Sequence, residues 1–290
     1  MRYLVFVTLL WAFSFSLIGE YLAGQVDSYF AVLTRVVIAG LVFLPLTRWR
    51  GVAPSFIRGM LLIGALQFGV TYVCLYLSFS VLTVPEVLLF TILTPLHVTL
   101  IEDAFNRRFN PWALLAALVA VAGAAVIRYD QISADFYLGF ALLQLANFTF
   151  AAGQVGYKHL LARHPADVPQ YRRFGYFYLG ALAVALPAFL LFGNASKLPS
   201  TTLQWSVLVW LGLAASGLGL YWWNKGASLV DGGTLAVMNN ALVPAGLLVN
   251  LLQWSRDADL LRLSLGGAVI GVSLLMIRRS GRQRPVMKVA

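Results

Sequence analysis

The sequence predicts an all-α integral membrane protein whose ten transmembrane helices form two inverted five-helix repeats. Its composition predicts the membrane: 60% of the 290 residues are hydrophobic and only 11% are charged, whereas soluble domains carry roughly 25% charged residues. The mean hydropathy is +0.80. Apolar stretches of about 20 residues, the length that crosses ~30 Å of hydrocarbon, recur along the whole chain.

The apolar stretches are predicted to be helices, because in lipid only helices and closed barrels satisfy every backbone group. Barrel strands would alternate apolar and polar residues over about ten positions, and these stretches do not. We expect the first stretch to remain as a helix rather than a cleaved signal peptide, because its apolar run is long and more spans follow. The predicted spans are 3–23, 29–47, 57–79, 83–102, 111–127, 137–157, 174–192, 202–223, 233–254 and 262–278.

The distribution of positive charge predicts the orientation of the chain. With the N-terminus inside, 16 of the 21 lysines and arginines fall on the cytoplasmic side. The positive-inside rule then places both termini in the cytoplasm of a multi-pass protein of the bacterial inner membrane. The net charge of +10 therefore indicates membrane topology, and no nucleic-acid partner is expected, because the basic residues do not form a binding patch.

Short internal similarities predict two halves, 1–128 and 135–279, followed by a basic cytoplasmic tail at 280–290. Because each half has an odd number of spans, the second is inserted upside down relative to the first. Inverted repeats are typical of secondary transporters, which bind substrate near the midplane between the halves. The similar stretches are Ala12-Phe13-Ser14-Phe15 with Asn147-Phe148-Thr149-Phe150, and Thr94-Pro95 with Val243-Pro244.

Three spans carry polar or aromatic residues along one helical face. Polar side chains inside a membrane are costly and usually face a cavity or a partner. Ser14 and Asn147 are expected near mid-membrane from the rise of about 1.5 Å per residue. The alternative is that such groups only hold neighbouring helices together. The faces are Trp11, Ser14, Phe15 and Ile18 in the first span, Gln67, Thr71, Cys74 and Ser78 in the third, and Asn147, Phe150, Gln154 and Tyr157 in the sixth.

Two adjacent carboxamides, Asn239 and Asn240, lie within the ninth span. Pro244 removes the helical hydrogen bond to the Asn240 carbonyl, and Pro95 does the same to the Thr91 carbonyl. The bent backbone can then present acceptors to a cavity with aromatic walls; the alternative is that both asparagines pack between helices. The predicted substrate-binding residues are Trp11, Ser14, Phe15, Thr91, Asn147, Tyr157, Trp223, Asn239 and Asn240.

Four charged residues are candidates for charge pairing or gating: Glu20, Arg35, Glu86 and Lys225. Arg35 is too deep to snorkel easily, and we expect it to pair with Glu20, because an unpaired buried charge is costly. The alternative makes Arg35 the anchor of a substrate carboxylate. Glu86 is expected to be an interfacial acid, with proton coupling as the alternative. Lys225 is expected to snorkel to the cytoplasmic headgroups, or else to attract an anionic substrate.

Catalytic and cofactor motifs are missing from the sequence. It contains no Gly-rich phosphate loop, zinc motif or nucleophile elbow, so we expect no enzyme activity, no cofactor and no metal. Without an ATP site, transport would be secondary. A membrane enzyme acting on lipid would need a nucleophile, paired acids or metal ligands at one depth, and a non-transporting scaffold would leave the midplane polar groups without a role.

The chain also resembles the drug/metabolite transporter superfamily, in its EamA-like group. Arg35, the prolines of the fourth and ninth spans, Glu102 at the end of the fourth span and the ten-span length carry this resemblance. Further stretches are similar to the bacterial biotin transporters of the carboxylate/amino acid/amine transporter family. They are LWAFSFS at 10–16, GEYLAG at 19–24, IRYDQ at 127–131, MNN at 238–240 and VPAGLLVN at 243–250.

The resemblance implies secondary uptake of biotin, a small carboxylate-bearing metabolite, by alternating access. It places the site among helices 1, 3, 4, 6, 8 and 9, surrounded by membrane lipid, and leaves a coupling ion, such as a proton, to be identified. Many members of the superfamily export amino acids or related metabolites, and export is therefore the alternative within the same class.

Overall fold

The computed structural model describes residues 1–107, 134–165, 168–230 and 232–254, with isolated helical positions between 111 and 119 and between 264 and 275. The described residues form helices and no strands, which confirms the all-α prediction. The helices are α1 (Arg2–Tyr21), α2 (Ser28–Phe43), α3 (Pro54–Ser78), α4 (Val84–Phe105), α5 (Ala134–Arg163), α6 (Gly175–Phe192), α7 (Thr202–Ser228) and α8 (Gly232–Trp254).

Six of the described helical segments are long and apolar enough to cross a membrane: α1, α3, α4, Asp135–Arg163 in α5, Gln170–Phe192 around α6, and α7. The multi-pass prediction is thereby confirmed for the described part of the chain. Large apolar side chains such as Leu41, Leu190 and Leu252 are more than 65% exposed on the outer surface, as expected of helices that face lipid. The predicted spans 111–127 and 262–278 and the tail 280–290 lie almost wholly outside the described residues, so the count of ten and the inverted repeat stay predictions.

Side-chain caps and prolines mark where helices begin. Asp27 Oδ1 accepts a hydrogen bond from Phe30 N at 2.7 Å and caps α2. At the start of α4, Glu86 Oε2 accepts from both the backbone N–H and the hydroxyl of Thr83, each at 2.8 Å. These contacts satisfy backbone donors that a helix leaves open in its first turn. The ends of the helices are therefore held by local chemistry as well as by packing.

Three of the long helices depart from α-helical geometry at mid-length. α3 contains a π-helical segment, Ala65–Val70, and α7 contains another, Leu211–Leu218. α4 tightens into a 3₁₀ turn at Thr91–Leu93, just before Pro95. Such irregular turns change which backbone carbonyls are hydrogen-bonded within the helix, and they often occur at functional sites.

Helices from the two predicted halves pack against each other rather than only within their own half. α1 packs on α8 and on the C-terminal part of α7, and α2 packs on α6 and on the π segment of α7. α3 packs on α5 and α6, while α4 packs on α5 and α8. The π segment of α3 packs mainly on α6 and α5, that of α7 on α2, and the 3₁₀ turn of α4 on α5 and α8.

Candidate functional site

A cavity lies between the described helices, and seven of the eight, all except α6, contribute side chains to its wall. The empty space inside it, counted together with the open space at its mouth, is about 700 Å³. The resemblance implied helices 1, 3, 4, 6, 8 and 9, which correspond to α1, α3, α4, α5, α7 and α8, and each of them contributes to the wall. Arg35 is added by α2. Predicted site residues in the wall are Trp11, Ser14, Phe15, Arg35, Thr91, Asn147, Trp223 and Asn239.

One side of the cavity is aromatic. The ring of Trp11 lies 4.9 Å from that of Trp223 and 5.8 Å from that of Phe150, centroid to centroid. Trp11 Nε1 donates a hydrogen bond to the carbonyl oxygen of Ala215, in the π segment of α7, at 2.9 Å. Because the indole N–H is satisfied there, the ring presents its apolar face to the cavity, a wall suited to the apolar part of a ligand.

Arg35 supplies a buried positive charge to the cavity wall; its side chain is only 1% exposed. Its Nε donates to Ser216 Oγ at 2.9 Å and its Nη1 to Tyr76 OH at 3.0 Å. The guanidinium carbon lies 4.6 Å from the centre of the Tyr72 ring, a cation–π contact. The Tyr72 hydroxyl also interacts with the guanidinium, and of the five N–H donors of a guanidinium at least two have no protein acceptor among the described residues.

The expected ion pair between Arg35 and Glu20 does not form in the described structure, and this expectation is wrong. The arginine turns instead toward Ser216 and Tyr76. Of Glu20, only the backbone carbonyl makes a hydrogen bond to a side chain among the described residues, accepting from Gln25 Nε2 at 3.2 Å. Depth along two helices does not determine which way each side chain points, and neutral oxygens and aromatic faces satisfy part of the guanidinium. Arg35 therefore faces the cavity without a carboxylate partner among the described residues.

Asn147 is oriented by the irregular turn in α4. Its Nδ2 donates to the carbonyl oxygen of Phe90 at 3.0 Å and to Gln144 Oε1 at 3.3 Å. Phe90 directly precedes the 3₁₀ turn Thr91–Leu93, where the change in helical pitch makes its carbonyl available to a side chain. The Asn147 carboxamide is thus held across the interface between α5 and α4.

Asn239 belongs to a buried network with Gln154 and Trp223. Gln154 Oε1 accepts from Trp223 Nε1 at 3.0 Å and from Asn239 Nδ2 at 3.2 Å. Gln154 Nε2 donates back to Asn239 Oδ1 at 3.4 Å, and Asn239 Nδ2 also donates to the carbonyl oxygen of Leu235 at 2.9 Å. The network ties α5, α7 and α8 together at the cavity wall.

The hydroxyls of the predicted site mainly satisfy backbone carbonyls. Ser14 Oγ donates to the Leu10 carbonyl oxygen at 3.4 Å, and Thr91 Oγ1 donates to that of Leu88 at 2.6 Å. The carbonyl of Thr91, which Pro95 deprives of its helical donor, accepts instead from the Thr94 backbone N–H in the 3₁₀ turn and from Thr94 Oγ1 at 2.7 Å. The residue next to the proline thus supplies two donors in place of the lost one.

Five predicted residues lie outside the cavity wall. Tyr157 is buried next to Phe174 and donates to Gln170 Oε1 at 3.2 Å, and Asn240 has a buried Oδ1 without a partner among the described residues. Glu86 caps α4. Lys225 lies over the Tyr3 ring, with Nζ 5.0 Å from its centre. Glu20 also lies away from the wall.

Several lining residues were not among the predicted site residues. Tyr72 and Thr94 do not belong to any of the predicted polar faces. The hydroxyl of Thr94, directly before the helix proline Pro95, is nevertheless a recognisable sign. Thr71 and Phe150 lie on the predicted polar faces; Thr71 Oγ1 also contacts Thr149 Oγ1 of α5 at 2.8 Å, which fits the alternative of polar contacts between helices. The additional lining residues are Ile18, Thr71, Tyr72, Leu75, Thr94, Leu143, Ala146, Phe150 and Leu242.

Comparison with known proteins gives this architecture a context. Residues 2–129 match the model of the EamA-like transporter family. A protein of Pseudomonas aeruginosa named as a probable biotin transporter is 71% identical over 98% of this chain and 99% of its own length. The biotin transporter of Escherichia coli K12 is 52% identical over 96% of this chain and 93% of its own.

Two more distant similarities concern an exporter and a solved structure. A pseudopaline exporter of Pseudomonas aeruginosa is 27% identical over 86% of this chain and 85% of its own length. A solved crystal structure superposes on 97% of this chain and 96% of its own with a TM-score of 0.66, at 19% identity. At that identity the likeness concerns the fold alone.

Proposed function

The chain belongs to the EamA-like transporter family, within the drug/metabolite transporter superfamily, and we propose that the cargo it carries is biotin. It is a multi-pass membrane transporter rather than an enzyme. The relatives whose names specify biotin match nearly the whole chain at 71% and 52% identity. The finer proposal is secondary uptake across the bacterial inner membrane, with both termini in the cytoplasm.

The observation that carries this proposal is the unpaired positive charge of Arg35 in the cavity wall. A buried charge without a partner costs several kcal/mol, and no acidic side chain among the described residues pairs with it. Its remaining N–H donors match a carboxylate, which a guanidinium binds through two parallel hydrogen bonds. Biotin has one carboxylate at the end of an aliphatic chain, and we place that group at Arg35.

The aromatic side of the cavity supports the placement of the rest of the cargo. Trp11, Phe150 and Trp223 form a wall with ring centroids 4.9–6.2 Å apart. Such a wall favours the apolar faces of a fused bicyclic ring and its aliphatic chain over water.

Alternating access is the mechanism that this arrangement supports. The cavity lies where α1–α4 meet α5, α7 and α8, that is, between the two predicted inverted halves. Rocking of one half against the other would open it to each side in turn. Close glycine contacts, such as Gly153 of α5 against the side chain of Gln67 in α3, allow the helices to approach closely across this boundary.

Export is the second candidate direction, because one relative, at 27% identity, is named as an exporter. A secondary carrier follows whichever gradient drives it, so one experiment addresses both directions. Purified protein in liposomes is given radiolabelled biotin outside or inside, with and without an imposed proton gradient. Accumulation from outside, above protein-free liposomes, is the expected result.

The matched test of Arg35 is the Arg35→Lys variant. Lysine keeps the charge but loses the planar pair of donors, and we expect KM for biotin to rise roughly 10- to 100-fold, since hydrogen bonds to charged groups contribute about 1.5–3 kcal/mol. Arg50→Lys, at an exposed arginine, is the control and should match the unmodified protein. Absence of biotin transport by folded, reconstituted protein would refute biotin as the cargo. Unchanged KM in Arg35→Lys would refute the carboxylate site.

A further inference from the structure

We infer that the cavity recognises the second polar end of its cargo through two fixed hydrogen-bond acceptors, Asn147 Oδ1 and Asn239 Oδ1, so that the cargo must bring N–H donors. This inference rests on the proposed function. Beyond that function, it names the chemical group of the cargo that is selected, the N–H donor, and the atoms that select it.

The Asn147 carboxamide can face only one way. Its Nδ2 lies 3.0 Å from the Phe90 carbonyl oxygen, and a carbonyl only accepts, so the amide nitrogen must be on that side. Its second amide proton reaches Gln144 Oε1 at 3.3 Å. Both donors are then used within the protein, and no donor among the described residues reaches Oδ1. What Asn147 offers to the cavity is an acceptor.

The Asn239 carboxamide, on α8, is oriented in the same way. Its Nδ2 donates to the carbonyl oxygen of Leu235 at 2.9 Å and to Gln154 Oε1 at 3.2 Å. Its Oδ1 receives only a long hydrogen bond of 3.4 Å from Gln154 Nε2, and a carboxamide oxygen has two lone pairs. Asn239 therefore also presents acceptor capacity at the cavity wall.

Gln154 acts as a positioning residue for Asn239 although it is not part of the wall. It is fully buried, and its own orientation is set by Trp223, because an indole N–H can only donate and therefore requires Oε1 at 3.0 Å. The nitrogen of Gln154 is then directed to Asn239 Oδ1. The chain of contacts from Trp223 through Gln154 to Asn239 fixes the polarity of this part of the wall.

The cavity thus has two polar regions of opposite character, donors at Arg35 and acceptors at the two asparagines. A cargo that satisfies both has an anionic group and N–H donors. The bicyclic urea of biotin has two N–H groups, and its carboxylate is on a separate chain. A carboxylic acid with a sulfur ring but no N–H, such as lipoic acid, matches Arg35 and leaves both acceptors unpaired.

Competition against radiolabelled biotin uptake in proteoliposomes tests this with the unmodified protein. Desthiobiotin keeps both N–H groups and the carboxylate, whereas lipoic acid keeps only the carboxylate. We expect desthiobiotin to compete within about tenfold of biotin, and lipoic acid to be at least about 100-fold weaker, since each buried acceptor left unpaired weakens binding about tenfold or more. Equal competition by the two acids would overturn the inference.

Variants then locate the selectivity. In Asn147→Ala and Asn239→Ala we expect the ratio of lipoic acid to desthiobiotin inhibition constants to fall about tenfold, and in Gln154→Leu to fall by a smaller factor. Gln253→Ala, at an exposed carboxamide on α8, is the control and keeps the ratio. The ratio is measured within each sample, so a smaller amount of folded protein does not change it. A constant ratio in the asparagine variants would mean that these side chains have a merely structural role, and it would refute the assignment.

The two levels of proposal fail in different ways. If the unmodified protein does not take up biotin, the proposed function and this inference fall together. If it takes up biotin but accepts lipoic acid equally, or if the asparagine variants keep the ratio, only the inference is overturned.

Discussion

The π-helical segments of α3 and α7, Ala65–Val70 and Leu211–Leu218, occupy corresponding helices of the two predicted halves but differ in how their polar groups are used. In α7 three successive carbonyls accept side-chain donors: that of Ala215 from Trp11, and those of Ser216 and Gly217 from Tyr178. The Ser216 hydroxyl also holds Arg35. This segment positions a substantial part of the cavity wall.

The segment in α3 is less completely bonded. The Leu66 carbonyl accepts from Thr71 Oγ1 at 2.9 Å, but neither polar atom of Gln67 has a partner among the described residues, although the residue is fully buried. An unpaired buried amide reduces stability. The polar groups of the α7 segment therefore stabilise the cavity wall, whereas the Gln67 carboxamide of the α3 segment makes no hydrogen bond among the described residues.

The largest expected effect concerns the glycines at the two segments. A Cβ on Gly64 would collide with the backbone carbonyl of Phe177 in α6, whereas one on Gly212 would lie 2.8 Å from side-chain atoms of Ile38. Backbone cannot move aside as side chains do, so Gly64→Ala should abolish folded protein, and Gly212→Ala should cost about 1–3 kcal/mol. Size-exclusion profiles and thermal denaturation in detergent measure both.

The control for these variants is Gly40→Ala in α2, where a Cβ would meet only ordinary contacts at 3.6 Å or more. Alanine is about 1 kcal/mol better than glycine inside a helix, so this variant should be neutral or slightly stabilised. Folded Gly64→Ala with the stability of Gly40→Ala would show that α3 and α6 do not approach as closely as described.

A smaller effect is expected where α7 holds Arg35. Ser216→Ala removes the acceptor of Arg35 Nε while leaving the backbone carbonyls that bind Tyr178 in place. We expect KM for biotin to rise about three- to tenfold with kcat little changed, as for the loss of one hydrogen bond of about 1 kcal/mol. Uptake kinetics in proteoliposomes measure this.

Ser206→Ala is the matched control and should leave KM unchanged. Ser206 is an exposed serine on the same helix, and among the described residues its hydroxyl donates to the Thr202 carbonyl alone. Equal KM values for the two serine variants would mean that Ser216 does not position the guanidinium.

The last expected effect, on stability, has the opposite sign. Gln67→Met replaces the unpaired carboxamide of α3 by an apolar side chain of similar size, and we expect stabilisation by about 1–3 kcal/mol, seen as a rise in Tm of a few degrees. Gln154→Met, the same change at a carboxamide with three hydrogen bonds, should lower Tm. A lower Tm for Gln67→Met would show that the amide is already paired.

The positions of the helices are largely predictable from the sequence. Apolar stretches at 3–23 and 57–79 correspond to Arg2–Tyr21 and Pro54–Ser78, because membrane thickness sets a minimum length and polar connections mark the ends. The π segments are not predictable in this way. Ala65–Val70 and Leu211–Leu218 have the composition of ordinary membrane helix, and their geometry depends on the neighbours they contact.

A residue of the site can be predicted from the sequence where its depth in the membrane and its helical face both place it at the cavity, and not otherwise. Asn147 and Tyr157 share a helical face, but ten residues separate them by about 15 Å along the axis, so only Asn147 reaches the cavity. Arg35 and Glu20 were matched by depth alone, and the direction of each side chain around its helix decided against the pair. Tyr72, which lies against Arg35, has no signal in the spacing of polar residues.

The acceptors at the cavity wall depend on the main chain at two places, the carbonyls of Phe90 and Leu235 that hold the amide nitrogens of Asn147 and Asn239. Every amino acid has that carbonyl. Mutational drift at positions 90 and 235 would therefore leave the hydrogen-bond polarity of the cavity intact. A change in that polarity during evolution would instead arise at the side chains that set it: the asparagines, Gln154, Trp223 and Arg35.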